Sequence, residues 1–75
     1  MTTITSANTL GAALRAARKR IGLSQSDLSL AAGVGVRFIV DLEGGNPTVR
    51  LEQVLRVIDP LGGVLTVSGL NAEPA

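Results

Sequence analysis

The side chains available for acid–base chemistry in this 75-residue chain are carboxylates, arginines and one lysine, because histidine and cysteine are absent. Disulfides and zinc sites with cysteine or histidine ligands are therefore excluded. General acid–base catalysis near neutral pH would need a carboxylate or lysine with a strongly shifted pKa. The six carboxylates include no adjacent pair: Asp27, Asp41, Glu43, Glu52, Asp59 and Glu73. The sequence thus predicts neither an enzyme nor a protein that needs a cofactor.

Basic and acidic side chains are unevenly distributed along the chain, although the net charge is only +1. Residues 1–37 carry five basic side chains and one carboxylate, whereas residues 38–75 carry two basic side chains and five carboxylates. A domain polarised in this way can turn its basic side towards phosphate groups. Solvated helix faces would give the same distribution, so charge alone leaves nucleic-acid binding open.

The chain is short enough to form a single domain, and its hydrophobic content of 45% is high for that size. Such a chain buries only about 60% of its unfolded surface, so oligomerisation is the most plausible additional source of stability. The longest charge-free stretches are too short and too rich in glycine to span a membrane. The N-terminus lacks the pattern of a signal peptide, so we expect a cytoplasmic protein.

Two helices are predicted in the first half of the chain. Apolar residues at three- and four-residue steps predict a helix over residues 9–21, with Thr9 as its N-cap. A second helix over residues 24–32 is predicted from Ser24 and Asp27, whose spacing fits a capping box.

The second half predicts two further helices and a strand. A third helix is expected from Gly35 to Glu43, and a glycine-rich loop separates it from a fourth helix around Leu51–Asp59. The apolar period of the fourth helix comprises Leu51, Val54, Leu55 and Ile58. The β-branched segment Val64–Val67 is a strand by propensity. A lone strand leaves backbone groups without partners, which favours pairing with a second subunit or with a partner protein, although an extended tail is the simpler alternative.

The spacing across the second and third helices fits a helix-turn-helix. Counting Gln25 as the first position, the small residue Ser29 is fifth and Gly33 is ninth. Aliphatic residues occupy the tenth, fifteenth and eighteenth positions, which are Val34, Ile39 and Leu42. A small residue lets the helices cross closely, and glycine can adopt the left-handed turn conformation. This agreement predicts the unit over residues 24–45.

Residues 9–59 resemble the λ-repressor-like helix-turn-helix family, on the evidence of Leu23-Ser24-Gln25, Leu28, Gly33-Val34, Ile39 and Leu42-Glu43. A narrower resemblance is to the HipB-type antitoxins, carried by residues 38–45, Pro47-Thr48 and residues 55–58. Antitoxins of this type are short repressors that dimerise through a C-terminal strand, bind the operator of their own operon and hold a HipA-type kinase toxin inactive. The resemblance therefore implies double-stranded DNA with a near-palindromic operator, a second copy of the chain and a kinase toxin as partners.

The expected fold is an all-α, λ-repressor-like bundle of four to five short helices with a C-terminal β-strand that pairs across a homodimer. We divide the chain into an N-terminal arm (1–8), the helix-turn-helix domain (9–61), a dimerisation strand (62–70) and a tail (71–75). The residues expected to pair between subunits are Val64, Leu65, Thr66 and Val67.

The third helix would be the recognition helix, and Arg37 is the best candidate for a bidentate contact with a guanine edge. Val36 or Val40 could meet a thymine methyl group. Gln25 matches the family's phosphate-positioning glutamine, and Thr48 and Arg50 could contact the same backbone. The complete set of expected DNA-binding residues is Ser24, Gln25, Ser26, Gly35, Val36, Arg37, Val40, Asp41, Thr48 and Arg50.

Asp41 departs from the family pattern, because many relatives have a neutral or basic residue there. Near phosphate its carboxylate would repel DNA unless it accepted a hydrogen bond from cytosine or paired with Arg37 four residues earlier. It could also simply solvate the helix.

Two charged residues, Arg18 and Glu43, are expected to have a structural role. In the resembled family a glutamate at the position of Glu43 commonly pairs with an arginine of the first helix, and Arg18 matches that position. The apolar stripe of the first helix independently places Arg18 beside the core.

Three functions remain open. The first is a repressor that is also an antitoxin, and the second is a repressor without a toxin partner. The third is a protein-interaction module that has lost DNA binding, which the sparse basic charge of the third helix would permit.

Overall fold

A computed structural model describes residues 3–69, which contain four α-helices. These are α1 (Ala7–Ile21), α2 (Gln25–Ala32), α3 (Val36–Glu43) and α4 (Leu51–Ile58). The predicted all-α class is thus confirmed for this part of the chain. Four to five helices were predicted, and these residues contain four. The tail predicted for residues 71–75, like residues 1–2 and 70, lies outside the described residues. None of the four helices is long and apolar enough to cross a membrane.

Helix α1 begins earlier than predicted, because Ser6 and not Thr9 is its N-cap. The Ser6 hydroxyl accepts a hydrogen bond from the Thr9 backbone N–H at 3.1 Å, and Thr9 Oγ1 accepts one from the Ser6 N–H at 3.0 Å. This reciprocal pair is a capping box with Thr9 in its third helical position. The N-cap predicted at Thr9 was therefore placed three residues too late.

The ends of α2 agree with the prediction. The Ser24 hydroxyl accepts from the Asp27 backbone N–H at 3.0 Å, and Asp27 Oδ2 accepts from the Ser24 N–H at 3.2 Å. At the other end Gly33 has a φ of 70°, in the left-handed region that side chains other than glycine rarely adopt. These are local features, so the sequence alone was sufficient to place them.

The core lies where α3 packs against α1 and α2, and where α4 packs against α2. Its buried apolar side chains come from all four helices: Leu14, Leu28, Ala32, Ile39, Leu42, Val54, Val57 and Ile58. Partly buried side chains surround them, including Leu10, Leu23, Val34, Phe38, Val49 and Leu61. This core fixes the angle at which α3 leaves the turn.

The buried face of α4 differs from the predicted one. Val57 is fully buried, whereas Leu51 and Leu55 are 62% and 44% exposed. Both faces satisfy helical periodicity, so only the position of α2 decides which side of α4 is covered. Helix α4 thus leaves two leucines, one turn apart, on the surface of the single chain.

Within residues 3–69 no strand is present, and residues 64–69 are exposed. The predicted strand Val64–Val67 has no paired strand within the described chain, and ladder hydrogen bonds require such a partner. The pairing of this segment between subunits therefore stays a prediction.

Candidate nucleic-acid interface

The turn between α2 and α3 has the geometry expected of a helix-turn-helix. Ser29 is buried, and its hydroxyl donates to the Ser26 carbonyl oxygen at 2.8 Å, so it brings no unpaired polar atom to the crossing. Ile39 and Leu42 are buried on the inner side of α3, and Val34 packs against the same core. These contacts fix α3 relative to α2 and leave its opposite side free.

A buried ion pair joins α1 to the end of α3. Arg18 Nε donates to Glu43 Oε2 at 2.7 Å and Arg18 Nη2 donates to Glu43 Oε1 at 2.9 Å. The two side chains are only 9% and 4% exposed. A third guanidinium nitrogen, Nη1, donates to the Leu23 carbonyl oxygen at 2.8 Å, so the pair also holds the segment that leads into α2.

The pKa values of these groups follow from the contacts. Burial acts to raise the pKa of Glu43, but the hydrogen bonds from Arg18 and Gln25 outweigh it and hold that pKa below its usual range. The hydrogen bond with Glu43 raises the pKa of Arg18 above its ordinary value, against the opposing effect of burial. Both groups are therefore charged at neutral pH.

Gln25, at the start of α2, is connected to the same pair. Its Nε2 donates to Glu43 Oε1 at 3.2 Å, across 18 residues of sequence. A carboxamide nitrogen carries two N–H donors, so this contact fixes the side chain and leaves a second N–H for another acceptor. The expected phosphate-binding glutamine is thus half-buried and held in place by the ion pair.

The outward face of α3 carries four of the expected DNA-binding residues. Val36 and Val40 are 46% and 45% exposed, and the side chain of Arg37 is 86% exposed. Asp41 is less exposed, at 35% of its side chain. At 3.6 residues per turn these four positions cover about 140° of the helix, opposite the buried Ile39 and Leu42. Gly35, also exposed, is the N-cap of α3.

Arg37 and Asp41 interact on this face. Arg37 Nε donates to Asp41 Oδ1 at 3.3 Å, an (i, i+4) pair along the helix. Of the arrangements that the sequence left open for Asp41, the structure contains the pairing with Arg37.

The remaining expected contacts lie at the ends of helices and in the loop. Ser24 and Ser26 are exposed at the start of α2, where Ser24 serves as the N-cap. Thr48 donates both its backbone N–H and its hydroxyl to Asn46 Oδ1, at 2.8 and 2.7 Å, so both of its donors are occupied within the loop. Arg50 is exposed and precedes α4 without a side-chain capping bond.

Gly11 sets the distance between α1 and α3, although the sequence analysis did not single it out. It is buried on α1, and a Cβ built there would press against the backbone carbonyl oxygens of Leu42 and Glu43. The absence of a side chain lets α1 approach the C-terminal end of α3 directly. A glycine inside an amphipathic helix was the only signal in the sequence that could have indicated it.

The helix-turn-helix domain family model matches residues 9–64, most of the chain and the whole of the unit described above. This chain belongs to the helix-turn-helix family. A curated relative, the HTH-type transcriptional regulator y4mF of Sinorhizobium fredii, is 51% identical over 53 residues. That alignment covers 71% of this chain and 70% of the relative.

Solved structures similar to this helix-turn-helix protein include HipB complexes. A HipB-O4 20mer complex has a TM-score of 0.84 at 22% identity, covering 91% of this chain and 96% of that one. A HipA-HipB-O2-O3 complex has a TM-score of 0.82 at 25% identity, with the same coverage. The fold is thus HipB-like over nearly the whole chain.

Proposed function

We propose that this protein is a sequence-specific transcriptional repressor that binds DNA as a homodimer and is the antitoxin of a HipBA-like operon. The observation that carries the proposal is the outward face of α3, where a nearly fully exposed arginine lies beside two half-exposed valines. The major groove of B-DNA admits an α-helix. There an arginine can donate to the hydrogen-bond acceptors of a guanine, and a valine can contact the methyl group of a thymine.

Base reading would belong to α3. Arg37 would contact a guanine edge, and Val36 or Val40 a thymine methyl group. Gly35 brings the backbone close to the groove, because it is exposed and has no side chain to hold it away.

Backbone contacts would come from the start of α2 and from the loop before α4. Gln25 would use its second N–H on a phosphate, while the first stays on Glu43. Ser24 and Ser26 are exposed on either side of Gln25 in the sequence, and Arg50 is exposed at the start of α4. Thr48 would have to release Asn46 before its hydroxyl could donate to phosphate.

Dimerisation is supported by the apolar surface that the single chain leaves uncovered. Val64, Leu65 and Val67 are 82%, 48% and 71% exposed, and they line a groove together with Ile4. The same segment of a second copy could pair with this edge and cover these side chains, which would satisfy the backbone of both. Two recognition helices would then read half-sites about one helical turn apart.

DNA binding is tested by gel shifts on the protein's own promoter against random duplex of equal length. We expect preference for the promoter and a steep loss of affinity with salt. Arg37→Ala should abolish the preference, whereas the matched Arg56→Ala, which removes an equal charge from α4, should lower affinity for both duplexes alike. Equal binding of promoter and random DNA by the unaltered protein would refute the proposed function.

The dimer is tested by light scattering after size exclusion. Leu65→Asp should produce a monomer, because it places a charge in the proposed interface. Leu30→Asp alters a leucine on α2 that is 82% exposed, and should leave the dimer intact. A monomeric unaltered protein at micromolar concentration would contradict the pairing of residues 64–67.

The antitoxin assignment is supported by the similarity to a HipA-HipB-O2-O3 complex. The test is co-expression with the neighbouring genes, purification through this chain and mass spectrometry of what is retained. A kinase-like protein retained in stoichiometric amount supports the antitoxin. A dimer that binds its promoter but retains no such protein would indicate a repressor without a toxin partner.

A further inference from the structure

The Arg37–Asp41 pair on α3 joins a highly exposed side chain to a less exposed one. The side chain of Arg37 is 86% exposed and that of Asp41 is 35% exposed, so the guanidinium projects farther from the helix than the carboxylate beneath it. The backbone under Asp41 is also held, because its carbonyl oxygen accepts the Asn46 N–H at 3.0 Å. The carboxylate therefore has a fixed base from which to hold the arginine.

The atom that Asp41 engages determines what remains for a ligand. The contact is to Arg37 Nε, which carries one of the five guanidinium N–H donors. The other four lie on the two terminal nitrogens, which can present two parallel donors. That geometry matches the O6 and N7 acceptors of a guanine edge.

The negative charge of Asp41 is expected to weaken DNA binding. A carboxylate on the DNA-facing side of a helix repels phosphate whatever the base sequence, and so lowers affinity for every duplex. An arginine that is already oriented loses less freedom when it binds a guanine. Positioning of Arg37 would therefore offset part of this loss at sites that carry the guanine, and only there.

We propose that Asp41 is a positioning residue that holds Arg37 at Nε so that both terminal guanidinium nitrogens meet one guanine in the major groove. This inference rests on the proposed function. It assigns Asp41 to base discrimination, and it predicts a G·C pair in each half-site that is read through Arg37.

The experiment begins with selection of preferred duplexes from a random library by the unaltered protein and by Arg37→Ala. The guanine position is the one whose preference disappears in Arg37→Ala. Affinities at fixed salt are then measured for two duplexes that differ only at that base pair. The proteins compared are the unaltered chain, Asp41→Ala, Asp41→Asn, Arg37→Ala and the double variant of both alanines.

We expect the unaltered protein to prefer guanine by about 5- to 150-fold. Asp41→Ala should reduce this ratio by about 1.5- to 5-fold, the range expected for the loss of one exposed ion pair, while binding of the non-guanine duplex is kept or improved. Asp41→Asn keeps an oxygen acceptor for Nε and should retain more of the ratio than Asp41→Ala. In the Arg37→Ala background, Asp41→Ala should leave the ratio unchanged.

Glu52→Ala is the matched control, because Glu52 accepts from Arg56 Nη2 at 2.9 Å in another exposed (i, i+4) pair. It removes the same charge and should not change the ratio. An Asp41→Ala protein that binds both duplexes more tightly by the same factor would overturn the inference and make Asp41 purely repulsive.

Two further outcomes separate this inference from the proposed function. A change of ratio on Asp41→Ala in the Arg37→Ala background would overturn the inference, because Asp41 would then read the base itself. A preferred site without an Arg37-dependent guanine would also overturn it, yet leave the repressor assignment standing. The absence of any preferred site would overturn both.

Discussion

Replacing Arg18 by methionine would remove a buried charge while keeping most of the side-chain volume. The Glu43 carboxylate, 4% exposed, would lose both hydrogen bonds of the bidentate pair and keep the one from Gln25. The Leu23 carbonyl oxygen would lose its donor as well. The perturbation is therefore an uncompensated buried charge and not a cavity.

The expected cost is about 3–5 kcal/mol, which is typical when one partner of a buried pair is removed. A domain of 75 residues has about 4–11 kcal/mol of total stability, at about 0.05–0.15 kcal/mol per residue. The variant should thus lose a large share of its free energy of unfolding. At about 4–8 °C per kcal/mol for a domain of this size, Tm should fall by about 12–40 °C.

Urea and thermal unfolding, followed by circular dichroism at one fixed protein concentration, measure this loss. Arg56→Met is the control, because its pair with Glu52 is exposed at both side chains and should contribute no more than about 0.5 kcal/mol. The double variant Arg18→Met/Glu43→Met removes both charges and should be more stable than Arg18→Met alone. A Tm of Arg18→Met close to that of the unaltered protein, or a double variant no more stable than the single one, would refute the reasoning.

Three further predictions concern stability. Gly11→Ala should destabilise by about 1–3 kcal/mol despite the better helix propensity of alanine, because α1 would have to move away from Glu43; an increase in Tm would contradict this. Ser24→Ala should cost about 1 kcal/mol through loss of the α2 cap, whereas Ser26→Ala should stay within about 0.5 kcal/mol, and equal urea midpoints for the two would count against the capping role. Because the pKa of Glu43 is lower in the folded state than its ordinary value of 4.5, the stability that its ionised form contributes is present above that ordinary value and is lost as the pH falls through the folded-state pKa. Urea midpoints measured between pH 6 and pH 2 should therefore fall more steeply for the unaltered protein than for Arg18→Met/Glu43→Met, and parallel curves would exclude a contribution from the pair.

Local chemistry explains why the helix-turn-helix was predictable. The capping box of Ser24 and Asp27 acts over three residues, and the left-handed turn needs glycine at position 33 whatever surrounds it. The Arg37–Asp41 pair is also local, since residues four apart share a helix face. The start of α1 was misplaced because serine and threonine are both good N-caps, and the reciprocal bonds between Ser6 and Thr9 decide between them.

The features that local sequence could not predict depend on which helices pack against each other. Periodicity defined an apolar stripe on α4, but α2 covers Val57 and leaves Leu51 exposed. Gly11 has a role only because α1 crosses the end of α3 at backbone distance. The segment 64–67 has strand propensity, yet a strand exists only when another backbone completes its hydrogen bonds.

The sequence by itself determined the approximate bounds of the helices, the turn and the outward side chains of α3, because caps, glycines and helical periods act between residues close in the chain. The tertiary structure alone decided that Gln25 is held by Glu43, 18 residues away, and that the carboxylate lies buried between α1 and α3. Family resemblance had indicated that Arg18 and Glu43 would meet, but burial and geometry give the pair its expected strength. Contacts of this kind form only when packing brings distant residues together and excludes water from them.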